Sequence, residues 1–265
     1  MRDMIALSMW SLTSVSFEKA VEIAFKLGFE GIELWLDTPH INVRVYDSVI
    51  KARNILEQYG FKHILAHAPC KNVNIVSSDM YVYEESRKLY LKALEACMKL
   101  NVEILTVHPG RVEDGKYSSR LRESIELIRE LAFKSGDIIL AVENMCGIVG
   151  RDLGIEPSEI MNYVREGFDK VKITFDIGHA HIMNMVEEYL KPNIVKHIVN
   201  VHVHNNNGIV DQHNPVNRGS CQVREVLNSI LFMNRRTILT LEINPSFGVN
   251  GIRDSLNALR VWGIG

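Results

Sequence analysis

No apolar run in this chain approaches the ~20 residues needed to cross a bilayer, so a membrane-spanning role is not expected. Charge of one sign is missing too: 30 Lys and Arg face 32 Asp and Glu, a formal net charge of −2. That balance gives no general attraction to nucleic acid or to an anionic membrane; only a local basic patch would serve for DNA. Cysteine is scarce. Cys70, Cys97, Cys146 and Cys221 are far apart and form no CxxC pair, which argues against a disulfide framework and for reduced thiols in a cytoplasmic protein. There is no low-complexity segment, charge block or interdomain linker. No GxGxxG follows the first apolar run, which counts against an open, doubly wound sheet. The apolar stretch 4–10 is too short for a secretory leader and has Asp3 beside Arg2, so it reads as a first strand.

What is present is a regular alternation. Short β-rich runs at 4–10, 31–35, 61–66, 103–107, 137–142, 171–175, 198–203 and 237–242 predict eight strands. Helical patterns lie between them, for example 17–28 and 83–101, with Gly28 and Gly60 as stop signals. Eight strands and about eight helices in 265 residues, 46% of them hydrophobic, predict a single α/β domain over 1–265, a (β/α)8 TIM barrel. The loops after the third and fifth strands, from Ala68 to about Met80 and from Asn144 to about Glu156, are long enough to hold a substrate.

Nine residues able to bind a metal recur where these runs stop: His67, His108, Glu143, Asp176, His179, His202, Asp211, His213 and Glu242. Strand ends of such a barrel converge on one face, so residues distant in sequence would meet around one mouth. Carboxylates buried together repel, and a divalent cation removes that cost. Five histidines with four carboxylates suit Zn²⁺ best, with Mn²⁺ as the alternative. Weaker candidates for touching substrate are Glu33, Lys71, His181, His204, Arg151 and Arg218. His181 and His204 could orient a ligand or touch substrate, or equally lie at the surface, and Glu33 could pair with a lysine instead. Trp10 and Trp35 could wall the pocket. Cys70 and Cys146 flank the mouth but are not needed as ligands, and His40, His63 and His197 read as structural.

The ordered series HAP, HPG, EN, DxGHAH, HVHNN, DQH and LEIN resembles the xylose isomerase-like TIM barrel superfamily, over the third to eighth strands. That superfamily holds sugar and sugar-phosphate isomerases and epimerases together with endonuclease IV. The isomerase branch implies one divalent ion on Glu143, Asp176, His202 and Glu242, with Glu143 and Glu242 moving a proton next to a metal-bound carbonyl. The endonuclease IV branch implies three zinc ions: Glu143 bridges the first set to a second ion on His67 and His108, and His179, Asp211 and His213 hold the third. All nine positions are present. The surroundings depart from endonuclease IV. His202 and Asp211 are only nine positions apart, Cys70 and Lys71 stand where residues that penetrate the duplex are expected, and residues 215–219 read PVNRG in place of an LGEG-like turn. Lys71, Arg151 and Arg218 are scattered, enough for a sugar phosphate and thin for a bent duplex. The resemblance therefore implies a metal-dependent isomerase or epimerase of a small sugar or sugar phosphate. An endonuclease IV-like zinc phosphodiesterase acting at abasic sites in DNA is the alternative.

Overall fold

The computed structural model describes residues 4–264; Arg2 and Asp3 lie outside them. Eight parallel strands close into a barrel in sequence order, with β1 hydrogen-bonded to β8. They are β1 Ile5–Ser8, β2 Gly31–Trp35, β3 His63–His67, β4 Ile104–Val107, β5 Ile139–Glu143, β6 Val171–Asp176, β7 Ile198–Val203 and β8 Ile238–Leu241. The outer helices are α1 Phe17–Leu27, α2 Tyr46–Leu56, α3 Met80–Lys99, α4 Tyr117–Lys134, α5 Pro157–Glu166, α6 Ile177–Ile182, α7 Val186–Tyr189, α8 Pro192–Val195, α9 Val223–Met233 and α10 Gly248–Val261. One helix follows each strand except β6, whose crossover is broken into three short ones; hence ten where about eight were expected. Among the described residues no helix is long and apolar enough to cross a membrane.

Local chemistry explains the boundaries. Ser16 caps α1 by accepting from the Lys19 amide (3.3 Å), and Gly28 ends it in the left-handed region at φ 82°. Gly60 does not do the same for α2, which stops at Leu56 with Glu57 as its cap. The first strand is shorter than 4–10 because residues Met9–Leu12 turn into a 3-10 helix, placing Trp10 above the barrel wall. β3 runs one residue past its expected end, so His67 is itself a strand residue.

The strands are buried on both faces, the outer against the helices and the inner in the lumen. Because side chains alternate, counting by twos along the strands resolves the lumen into layers. Ala6, Leu65, Ile104, Ala141 and Ile238 form an apolar cluster separate from the main core. Two residues further along come Ser8, His67, Thr106, Glu143 and Thr240, of which Ser8, His67 and Glu143 belong to or touch the site described below. A polar band crosses the lumen here. Thr106 Oγ1 and Thr174 Oγ1 are 2.8 Å apart, Thr240 donates to Asn200 Oδ1 (2.7 Å), and Asn200 Nδ2 donates to Glu33 Oε2 (3.0 Å). Each hydrogen bond nets about 0.5–1.5 kcal/mol, whereas a buried polar group left unpaired costs about 1–3 kcal/mol, so this band holds together only as a network.

Candidate metal centre and active site

All nine expected ligands meet at the carboxyl end of the barrel, in three groups joined by shared carboxylates. At the base, His202 Nδ1 lies 3.2 Å from Glu143 Oε1, 3.2 Å from Glu242 Oε2 and 3.9 Å from Asp176 Oδ2. Glu143 also faces a second group: its Oε2 lies 3.3 Å from His67 Nε2 and 3.1 Å from His108 Nε2. In the third group, Asp211 Oδ2 lies 3.2 Å from His179 Nε2 and 3.0 Å from His213 Nε2. Glu143 thus reaches two groups, one with each oxygen.

The imidazoles are aimed by what holds their far nitrogens. Nδ1 donates to the Ala68 carbonyl in His67 (2.8 Å), to the Asn144 carbonyl in His179 (2.8 Å) and to the Glu242 carbonyl in His213 (3.1 Å). Each leaves Nε2 facing a carboxylate. His202 is reversed: its Nε2 donates to Glu33 Oε2 (3.1 Å), so Nδ1 faces the cluster. A carbonyl or carboxylate behind these four rings is the support that metal-binding histidines use. His213 holds its position with a left-handed backbone, φ 47°, unusual outside glycine.

The charges are closely balanced. Burial alone would lower the His202 imidazole, but the Glu242, Glu33 and Glu143 carboxylates hold it well above its usual value. Burial would raise Glu143, yet His202 and His108 hold it well below the ordinary carboxylate range. Asp176 is likewise kept low against burial by His179 and His204. His213, which burial would lower, is pushed up to about 9, chiefly by its hydrogen bond to Asp211. In the metal-free protein, protons on histidine thus neutralise carboxylates that a cation could neutralise instead. An orphaned oxygen makes the same point: Asp211 Oδ1 is buried without a hydrogen-bond partner. The donor set fits a divalent ion of the zinc or manganese type.

This has a measurable consequence. A raised imidazole stabilises the fold fully below its unfolded value, about 6.5, and that contribution is lost as pH rises through the folded value. For His213 the window runs up to about 9. The thermal midpoint of metal-free protein should therefore fall across this window. Saturating Zn²⁺ should abolish the fall, since the ion takes the place of the protons. A metal-free midpoint that stays flat from about pH 6.5 to 9 would contradict this charge assignment.

The weaker candidates scatter. Glu33 is fully buried below His202, closed off from the mouth, and accepts from His202, Asn200 and Thr106; it neither reaches a substrate position nor pairs with a lysine. His204 is fully buried, its Nε2 3.0 Å from both Asp176 oxygens and its ring stacked 3.8 Å from that of His213. Gly178 makes room for it, because a Cβ there would lie 2.0 Å from His204 Cε1. His181 instead pairs with Ser220 Oγ (2.8 Å) outside the mouth. Lys71 reaches the Thr38 carbonyl, Arg218 pairs with Asp254, and Arg151 is exposed; none of the three lines the cavity. His40 donates toward the Val15 carbonyl and His63 pairs with Glu103, both away from the site.

The sequence reading missed the supporting polar residues. Asn144 accepts from the Asp176 amide (2.7 Å) and donates to the Asp176 carbonyl (3.0 Å), fixing the start of α6. Ser8 donates to Glu242 Oε1 (3.2 Å). Asn205 ties the loop after β7 together through Val216, Cys221 and a bridge to Asn214. Above the ligands lies a cavity of about 310 Å³ walled by Trp10, Trp35, Met145, Cys70 and Cys146, with no Lys or Arg in its lining.

Comparison with known proteins places this geometry in a family. The uncharacterized protein MJ1311 of Methanocaldococcus jannaschii is 30% identical over 193 residues, covering 68% of this chain and 64% of that protein. A probable endonuclease 4 of Mesoplasma florum is 24% identical over 148 residues, covering 54% of this chain and 48% of that protein. A solved D-tagatose 3-epimerase-like protein superposes with a TM-score of 0.82 at 23% identity, covering 98% of this chain and 96% of that one, a likeness of fold. The family described as xylose isomerase-like TIM barrel matches residues 21–262, and the chain belongs to it.

Proposed function

We propose that this protein is a divalent-metal-dependent isomerase or epimerase of a small sugar or sugar-like substrate. The observation that carries the reading is the cavity above the ligands, which Glu143 and Glu242 of the Glu143, Asp176, His202 and Glu242 group help to line. At about 310 Å³ it has the size of a small-molecule site, at the low end of the roughly 300–1,000 Å³ common for such pockets. Its walls are aromatic and apolar, suited to the C–H faces of a sugar. Its lining has no Lys or Arg to grip a phosphate, which favours an unphosphorylated substrate. The epimerase-like neighbour lends support to this choice of chemistry.

Glu143, Asp176, His202 and Glu242 would hold the ion, Zn²⁺ foremost and Mn²⁺ as the alternative. Once bound, it would supply Lewis acidity to adjacent substrate oxygens and so acidify the carbon next to a carbonyl. Glu143 and Glu242 approach one point from different sectors of the wall, each with an oxygen near His202 Nδ1. One would remove the carbon-bound proton and the other return one. Ser8 holds the Glu242 carboxylate in place, and Trp10 and Trp35 keep bulk water from the reacting carbon.

A second reading, zinc-dependent hydrolysis of a phosphodiester at abasic sites, is favoured by one specific observation: the second and third groups of ligands are fully assembled. The two chemistries separate in one experiment. Metal-loaded protein incubated with a panel of ketoses and aldoses in D2O should incorporate deuterium at the carbon beside the carbonyl. Absence of exchange across the panel, together with Glu143-dependent incision of a duplex bearing one abasic site, would replace the first reading by the second.

A further inference from the structure

Cys146 stands on the loop after β5, three residues beyond Glu143. In the structure its Sγ, a ring nitrogen of His179 and a carboxylate oxygen of Asp211 all lie within 4.8 Å of one another. The thiol is half-buried and lines the cavity. A separate observation points to the same spot. Asp211 Oδ2 already serves His179 and His213, while Asp211 Oδ1 is buried with no partner. Cys146, His179 and Asp211 thus form one candidate group, and His213, 3.0 Å from Asp211 Oδ2, is the neighbouring imidazole that would complete four donors.

We propose that Cys146 is the fourth protein ligand of an ion held by His179, Asp211 and His213. This rests on the reading of the barrel mouth as a metal centre. The chemistry is a simple exchange: the Sγ–H bond breaks, the proton leaves to solvent, and the sulfur lone pair binds the ion without any change of oxidation state. Four protein donors complete a tetrahedral shell, the arrangement of a closed structural zinc site rather than an open catalytic one. Thiolate also favours zinc over manganese at this position. The ion would pin the loop after β7, which carries Asp211 and His213, to α6 and the loop after β5. It would offer no free position to a substrate oxygen. Reaction chemistry then falls to the Glu143, Asp176, His202 and Glu242 group, with the third ion shaping the wall above it.

The test uses full-length protein stripped of metal and reconstituted with Co²⁺, with bound ions counted by mass spectrometry. A thiolate-to-cobalt charge-transfer band should appear in the near ultraviolet, be lost in Cys146→Ser and be retained in Cys70→Ser. Cobalt bound without that band, or a band that survives Cys146→Ser, would overturn the Cys146 assignment and leave the metal centre standing. No bound cobalt at all would overturn both. Should Cys146→Ser fail to fold, the wild-type protein decides: alkylation of Cys146, read by peptide mass, should be suppressed by Zn²⁺. Undiminished alkylation of fully loaded protein would overturn the proposal.

Discussion

Glu143→Gln should lower turnover by about 10²–10⁴-fold, the range expected when a positioned proton-transfer group is lost. The effect is large because Glu143 does two things at once. One oxygen faces His202 and the other faces His67 and His108. The amide has nearly the same shape but replaces one acceptor oxygen with a donor NH2, which can bind no cation. It also removes the charge that helps to hold His67 and His202 above their usual range. Activity and metal content should therefore fall together, with circular dichroism unchanged. Substantial turnover with a full complement of ions in the variant would overturn the whole assignment of the site.

Glu33→Gln should weaken metal binding by about 10–100-fold, although Glu33 touches neither ion nor substrate in this arrangement. Its carboxylate lies 3.1 Å below His202 Nε2 and makes the opposite nitrogen a stronger donor. Glutamine can still accept that hydrogen bond but supplies no charge. The loss should appear in competition titrations against a chelator, and excess metal should largely restore turnover. A variant that binds metal as tightly as wild type would show Glu33 to be packing alone.

Much of this arrangement was legible because polar residues interrupt apolar runs. His108 in TVHPG and Glu242 in LTLEIN stand out against β-branched neighbours, and the barrel topology gathers such positions at one mouth. The polar band beneath was hidden. Thr106, Thr174 and Thr240 are ordinary strand residues by propensity, and only counting back two places from His108, Asp176 and Glu242 would have placed them in the lumen. Glu33 was misplaced for a related reason: it lies mid-strand in β2, two residues short of Trp35, at the depth of the band rather than the mouth. For His181 helix geometry decides between the two roles open to it, in favour of the surface. Two residues along α6 turn about 200°, so it faces away from His179. The aim of His67, His179 and His213 depends on a carbonyl at Ala68, Asn144 or Glu242, and no residue identity encodes that.

The two-residue rhythm of the strands has a consequence for folding itself. If one strand slid by a single residue against its neighbour, its donor would swing out of the lumen and into the helix layer. His67, Glu143 and His202 would then lie among aliphatic side chains, with their carboxylate and imidazole partners stranded on the far side of the sheet. Correct barrel closure and completion of the donor ring are thus one event, and ring assembly penalises every misthreaded alternative.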